Sequence, residues 1–408
     1  MRLFNNLATV ALSSFVTLAS ATILQNGQVR DVLFPDTQIA TVTGNDSAWT
    51  SYPPSASGIS YKGSAPGLKF GFTGDKVALS FGEHTSPGVL VGYRLDGQDW
   101  EFTNVTAGAT HQFVSASTPG FDMADDAGAP DTLRTFELYV SNWAFGVQVV
   151  GVHVAAGGQL VGLPNFARKV EVIGDSIASG MYDTYESMAG WAWDLGAGLG
   201  NVEFGVTAYP GICLVDQDCW GNPRGQAFQW FRASDTSPRA RQMYGELSEQ
   251  AEMWDFESKQ PADLVIVHLG TNDNNTANNV PPGLYYDTYV EFVGKVHEVW
   301  PQAQIILVGL WNGFSRVGST WREVGAFVED IYRVYEYYSE EGYVHYFNTT
   351  GILQHNDIAP QYHPTDVGQI KVASHLMQYV KNTFGWDFGA TGPEVQHETL
   401  YWNDQEAY

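Results

Sequence analysis

Residues 169–180 read Lys-Val-Glu-Val-Ile-Gly-Asp-Ser-Ile-Ala-Ser-Gly. The apolar run Val170–Ile173 ends on a glycine, an acid and a serine, and Ile177 and Ala178 open the next segment. Such a run, closed so abruptly, predicts a buried strand turning into a helix. Ser176 at that turn would hold its hydroxyl exposed, with helix N–H groups pointing toward it.

Toward the carboxyl end the same grammar repeats. Apolar strands are expected at Val202–Tyr209, Leu264–Leu269, Ile305–Leu310 and Val344–Phe347. Between them Tyr289, Phe292, Val293, Val296 and Trp300 keep helical spacing, as do Val324, Phe327, Val328, Ile331 and Tyr335. Five buried strands with crossing helices imply an α/β domain over 168–388, its parallel sheet covered on both faces. Gly196-Ala197-Gly198-Leu199-Gly200 ends a helix and does not follow a strand, so it reads as a helix stop and not as a dinucleotide loop. Residues 389–408 are polar and aperiodic and read as a tail.

Toward the amino end the grammar changes across Val161–Ala167, around Pro164. From residue 22 to 161 short runs such as Leu68–Thr73, Val77–Phe81, Val89–Leu95, Thr135–Val140 and Val147–Val154 are split by Gly, Pro, Asp and Ser. That spacing predicts an all-β sandwich or jelly roll. Ahead of it, Arg2, the apolar run Leu7–Leu18 and Ala19-Ser20-Ala21 have the form of a signal peptide, residues 1–21. The run falls short of the roughly 20 apolar residues that a membrane-spanning helix needs. Secretion is therefore expected. N-glycosylation sequons at Asn45, Asn104, Asn274 and Asn348 fit that route. So does a small-loop disulfide between Cys213 and Cys219, the only two cysteines in the chain.

In an open parallel sheet reactive residues gather at the carboxyl ends of the strands. There the sequence places Gly174-Asp175-Ser176, then Tyr209-Pro210-Gly211-Ile212, then Gly270-Thr271-Asn272-Asp273, and finally Gln361-Tyr362-His363-Pro364-Thr365. Pro364 suits the first position of a helix, leaving His363 just outside it. A serine hydroxyl is a poor nucleophile until a base within hydrogen-bond reach takes its proton. The oxyanion that forms needs preorganised donors. Ser176 and His363 supply the first pair; the N–H groups of Ser176 and Gly211 and the side chain of Asn272 supply the donors. Asp175 and Asp273 are expected to brace their loops.

Gly-Asp-Ser, a later Gly, Gly-Thr-Asn-Asp and His-Pro-Thr, in that order, resemble the blocks of the SGNH (GDSL) hydrolases over about Lys169–Phe384. The resemblance implies a three-layer, flavodoxin-like sheet and acyl-ester hydrolysis. Gly151–Leu160 (Gly-Val-His-Val-Ala-Ala-Gly-Gly-Gln-Leu) and Ala208-Tyr209-Pro210-Gly211 are similar to carbohydrate esterase family 2, two-domain acetyl esterases that act on plant polysaccharides. The chain departs from the pattern before its histidine, where Pro360 and Gln361 stand in place of an aspartate. The nearest upstream acid is Asp357. A main-chain carbonyl, as the family-2 resemblance implies, or Asp357 would then orient His363.

The formal charge is −25, from 20 basic and 45 acidic residues. Such a surface repels phosphate backbones and anionic lipid, which argues against nucleic acid and membranes as partners. Asp216-Gln217-Asp218 starts like a calcium loop, but Trp220 replaces the next ligand and no closing glutamate comes after it. No HExxH or paired-cysteine spacing calls for a metal, and no cofactor is expected. Trp311, directly after the fourth strand, is either a core residue or a sugar-stacking platform, and we assign it to the substrate. His268, within a strand, reads as a core residue. The expectation is a monomeric, secreted serine esterase acting on acetylated polysaccharide. The alternatives are a lipase or phospholipase of the same fold, against which no apolar lid segment stands out, and a carbohydrate-binding protein without activity.

Overall fold

The computed structural model describes residues 64–115, 118, 132–143, 145–155, 158–233, 253–257, 259–311, 313–358 and 362–389, with the backbone of three short strands before them. The expected signal peptide, the Asn45 sequon and the tail after Gly389 lie outside the described residues.

The amino-terminal region is antiparallel throughout. Strands β1 (Thr22–Gln25) and β2 (Gln28–Asp31) pair with each other. A four-stranded sheet runs β3 (Gln38–Ala40), β10 (Val149–Val154), β5 (Val77–Phe81), β8 (Thr110–Val114). A five-stranded sheet runs β11 (Leu160–Val161), β4 (Gly67–Phe72), β9 (Arg134–Val140), β6 (Val89–Leu95), β7 (Glu101–Val105). Phe70, Phe72, Val91 and Phe136 from one sheet and Val77, Leu79, Phe113 and Val152 from the other share one core. Alternate residues of a strand face opposite sides, so each sheet hides one face against its partner.

From Arg168 the chain builds a five-stranded sheet in which every pair is parallel. Its order is β13 (Val202–Tyr209), β12 (Arg168–Asp175), β14 (Leu264–His268), β15 (Gln304–Val308), β18 (Val344–Phe347). In the sheet's own sequence that is 2-1-3-4-5. Val265, Val267, Ile305 and Leu307 meet α3 (Pro282–Val299) and α4 (Val328–Tyr338) on one face. Val172, Ile266, Ile306 and Val308 meet α1 (Trp191–Leu199) and α5 (Asp366–Phe384) on the other, and the one-turn α2 (Gln226–Gln229) lies between β13 and β14 in the chain. The period-2 alternation of these largely apolar strands thus feeds two helix layers at once, each fully buried Val, Leu or Ile contributing about 1.5–3 kcal/mol. Gly200 closes α1 with φ 61° and an N–H to the Gly196 carbonyl at 3.2 Å, the helix stop read in the sequence.

Three expectations need correction. β12 does not run into a helix: residues 176–185 form turns, a single 3-10 turn follows at Glu186–Met188, and α1 begins only at Trp191. Val324 and Phe327 do not belong to a helix. Residues before it form a hairpin, β16 (Phe314–Val317) and β17 (Thr320–Glu323), turning at Gly318 with φ 63°. Phe327 takes a left-handed backbone (φ 47°) and stacks on Tyr285 at 3.9 Å, so α4 starts one residue later. Pro364 is also not in the first turn of α5. Thr365 is its N-cap, accepting from the Gly368 N–H at 3.2 Å, and Pro364 instead bridges Ile358.

Candidate active site

A sheet of order 2-1-3-4-5 reverses its winding between its first and third strands, and the crevice opens at their carboxyl ends. Here those strands are β12 and β14. Ser176 directly follows β12, and the loop after β14 carries Asn272. On the other side of β12 the pair Asp175↔Tyr209 brings Pro210 and Gly211 to the same rim. Gly211 has φ 81°, and a Cβ there would stand 2.7 Å from that of Trp220. Only glycine fits both the backbone and the space.

His363 reaches this rim from 187 residues away in sequence. Its Nε2 lies 2.7 Å from Ser176 Oγ, within hydrogen-bond range. Ser176 is 5% exposed. The loop that presents His363 is closed at its base by the Ile358–Pro364 bridge and by the Thr365 N–H donating to the Asp357 carbonyl at 2.8 Å. Tyr182 meets the imidazole edge-on, ring centroids 5.0 Å apart at 84°.

Asn272 Nδ2 donates to the Ile212 carbonyl at 2.9 Å, with Asp175 Oδ2 at a longer 3.4 Å. Asp175 Oδ1 accepts from the Ile177 N–H at 3.0 Å. Burial pushes its carboxyl up to about 7, that N–H bond pulling the other way. Asp273 accepts from the Leu214 and Val215 N–H groups at 2.8 and 3.0 Å, and burial lifts it to about 6. Both acids brace loops, as the sequence suggested. Cys213 and Cys219 are disulfide-bonded within the loop that Asp273 holds.

The hydrogen bonds described for Asp357 go elsewhere than to the imidazole. Its carboxylate accepts from the Gln354 N–H at 2.8 Å and from Lys371 Nζ at 2.8 and 2.7 Å. These bonds pin the histidine loop to α5. Trp311 also needs correcting. It is 1% exposed and lies against His268 at 4.4 Å, inside the core, so no ring face is left for a sugar. Its position after a strand end was compatible with either role, and packing of the sheet against α1 and α5 claims it. His268 is buried with neither ring nitrogen partnered among the described residues, and burial lowers it to about 3. It is a neutral core histidine.

Sequence reasoning missed Gln369. This fully buried glutamine on α5 accepts from the Trp191 N–H at 3.1 Å. It donates to Asp183 Oδ2 at 2.8 Å and to the Ile177 carbonyl at 3.4 Å. One amide therefore ties together the turn after Ser176, the start of α1 and the helix next to His363. A polar residue on the apolar stripe of Val372, Ala373, Leu376 and Val380 was the available signal.

Desolvation pushes Asp183 up to about 8, the Gln369 bond opposing and the charges of Asp366 and Asp194 adding to it. An acid raised in the folded state binds its proton more tightly than in the unfolded chain, so its contribution is full at acid pH and is lost as pH rises through about 8. Asp183→Asn should remove that loss. The fall in melting temperature between about pH 5 and about pH 9 should shrink in the variant but not vanish, because other buried acids share the slope. An unchanged difference, measured by thermal melts at both pH values, would contradict this assignment.

The amino-terminal domain buttresses the segment after the nucleophile turn. Ser141 Oγ donates to the Tyr185 carbonyl, and the Ser187 N–H donates to the Ser141 carbonyl at 2.9 Å. Asn142 Nδ2 and the Trp143 N–H both donate to the Glu186 carboxylate, at 2.9 and 3.0 Å. Phe102 stacks on Tyr185 at 4.1 Å, and Trp100 and Tyr139 pack with Trp193. Of the sequons, Asn274 and Asn348 are exposed, and Asn104 is half-buried with its amide donating to the Gly88 carbonyl. Among the described residues no group of His, Cys, Asp and Glu is placed to hold a metal ion, and no helix is long and apolar enough to cross a membrane.

Residues 172–370 match the GDSL-like Lipase/Acylhydrolase family. No curated protein sequence matches the chain. Among solved structures, an acetyl xylan esterase from the rumen bacterium Butyrivibrio proteoclasticus is similar at TM-score 0.64 and 18% identity, covering 86% of this chain and 99% of its own. A family two carbohydrate esterase from Clostridium thermocellum, in complex with cellohexaose, has TM-score 0.60 and 19% identity over 81% and 96%. A carbohydrate esterase family 2 enzyme with a carbohydrate binding domain from Corynascus thermopiles (Myceliophthora fergusii) has TM-score 0.61 and 19% identity over 82% and 98%.

Proposed function

We propose, from the match of residues 172–370 to the GDSL-like Lipase/Acylhydrolase family, that this protein is a secreted serine esterase removing O-acetyl groups from plant polysaccharides such as xylan or mannan. The observation that carries the reading is the 2.7 Å approach of His363 Nε2 to Ser176 Oγ at the carboxyl rim of the sheet.

In this reading Ser176 Oγ attacks the ester carbonyl while His363 Nε2 takes its proton. The Ser176 and Gly211 N–H groups and Asn272 Nδ2 receive the oxyanion, one such donor being worth about 3 kcal/mol of barrier. A charged oxygen is a better acceptor than the distant Asp175 contact, so Asn272 has a proton to offer without giving up Ile212. The tetrahedral species collapses, and the imidazolium returns its proton to the departing sugar oxygen. Water then attacks the acetyl-Ser176 carbonyl, giving its proton to His363, and acetate leaves with Ser176 restored. With Asp357 committed to Lys371, a main-chain carbonyl is the proposed orienting partner of the imidazole.

The fold shared with carbohydrate esterases supports a glycan ester as substrate, as does the strongly acidic composition. The sheet orders β3-β10-β5-β8 and β4-β9-β6-β7 support reading the amino-terminal domain as a jelly roll. Its contacts to the segment from Tyr185 to Ser187 support a role in holding the nucleophile loop. A pocket sized for acetyl should make kcat/KM fall steeply from acetyl to butyryl to octanoyl 4-nitrophenyl esters, and acetylated xylan or glucomannan should release acetate. Preference for octanoyl esters with no acetate released from either polymer would replace this reading by a lipid esterase.

A further inference from the structure

Tyr182, Asp183 and Thr184 follow the nucleophile turn, and each reaches across to the histidine side of the site. Tyr182 meets the His363 ring edge-on. Asp183 Oδ2 accepts from Gln369 Nε2 at 2.8 Å. The Thr184 N–H donates to Asp366 Oδ1 at 2.9 Å, and the Thr184 hydroxyl donates to Asp366 Oδ2. Asp366 opens α5, three residues after His363. Asp366 and Gln369 are also three residues apart, so they stand on one face of that helix.

The same segment is fixed from its other side. Gly180, with φ 69°, lets it fold back until a Cβ there would stand 2.1 Å from the Glu186 carbonyl oxygen. Glu186 in turn is held by Asn142 and Trp143 of the amino-terminal domain. A bond to Thr184 is therefore a bond to an anchored loop. The helix dipole favours an acid at the start of α5 whatever its partner. It does not explain why both Asp366 oxygens reach one residue 182 positions away. Two bonds between the same residues fix direction as well as distance. Thr184 is exposed and Asp366 half-buried, so water competes for these bonds and they add little to stability. Their consequence is geometric.

We propose that Asp366 and Thr184 are positioning residues of the esterase reaction, clasping the His363 end of α5 to the loop that continues from Ser176. This rests on the serine-esterase reading and says what keeps its two reacting groups in register. Ser176 and His363 lie on segments 187 positions apart, and their approach of 2.7 Å holds only while those segments keep their spacing. A misplacement of about 1 Å, caused far from the reacting atoms, costs about 100-fold in rate. Neither Asp366 nor Thr184 needs to touch the substrate, so the clasp acts on the proton transfer and not on binding.

Asp366→Ala should lower kcat on 4-nitrophenyl acetate by about 10- to 100-fold while KM stays within about twofold. Asp366→Asn keeps an acceptor for the Thr184 N–H, and the hydroxyl can turn to accept from the new amide, so most of kcat should return. Thr184→Ser should resemble the parent, whereas Thr184→Val, left with the N–H bond alone, should fall between parent and Asp366→Ala. Adding Thr184→Val to Asp366→Ala should cost nothing further, because the pair is already broken. Should Asp366→Ala fail to fold, Thr184→Val against Thr184→Ser makes the same comparison. An undiminished kcat in Asp366→Ala, or losses that multiply in the double variant, would overturn the clasp and leave the esterase reading in place. So would a loss in Asp366→Asn as deep as in Asp366→Ala, since the charge and not the bonds would then matter. A parent with no turnover of acetyl esters would overturn both.

Discussion

Ser176→Ala is expected to lower kcat on 4-nitrophenyl acetate by about 10⁴- to 10⁶-fold, leaving the fold unchanged. The only side-chain partner described for Ser176 Oγ is His363 Nε2. Removing it forfeits one hydrogen bond, about 1 kcal/mol, and opens no cavity in the apolar layers. Circular dichroism and thermal melts should therefore match the parent. Residual turnover above about one percent would mean that another group attacks the ester.

His363→Ala should cost nearly as much, since without the imidazole the hydroxyl keeps its proton through the attack. The instructive comparison is Asp357→Asn. If a carboxylate held the imidazole tautomer, removing its charge would cost about 10⁴-fold. The Asp357 oxygens are occupied by Lys371 and the Gln354 N–H, so this variant should keep activity within several-fold and instead melt lower. A collapse of kcat in Asp357→Asn with an unaltered melting temperature would return it to the reaction.

The sheet was legible because most of its strands centre on a short apolar run closed by glycine or polar residues. The positions of Ser176, Gly211, Asn272 and His363 came with it, since parallel strands deliver their carboxyl ends to one rim. The features that failed to show depend on contacts between distant segments. Trp311 sits three residues beyond the end of β15, where neither spacing nor chemistry separates a core ring from a platform. The β16–β17 hairpin was hidden because Val324 and Phe327 happen to fall at helical spacing with Val328 and Ile331. Asp357 was the nearest acid in sequence, but Lys371, one helix away, claims it. Gln369 differed from its apolar neighbours on α5, yet its three partners are separated from it by 178 to 192 positions. The support given by the amino-terminal domain to the Glu186 loop was likewise invisible to any local pattern.

The esterase account stands or falls on a covalent bond to one hydroxyl. The most direct measurement is to treat the protein with a serine-directed alkyl phosphonate, digest it and locate the adduct by mass spectrometry. The account predicts a single adduct, on Ser176, that is absent from Ser176→Ala and slowed strongly in His363→Ala. An adduct on any other residue, or equal labelling of the two variants, would contradict it.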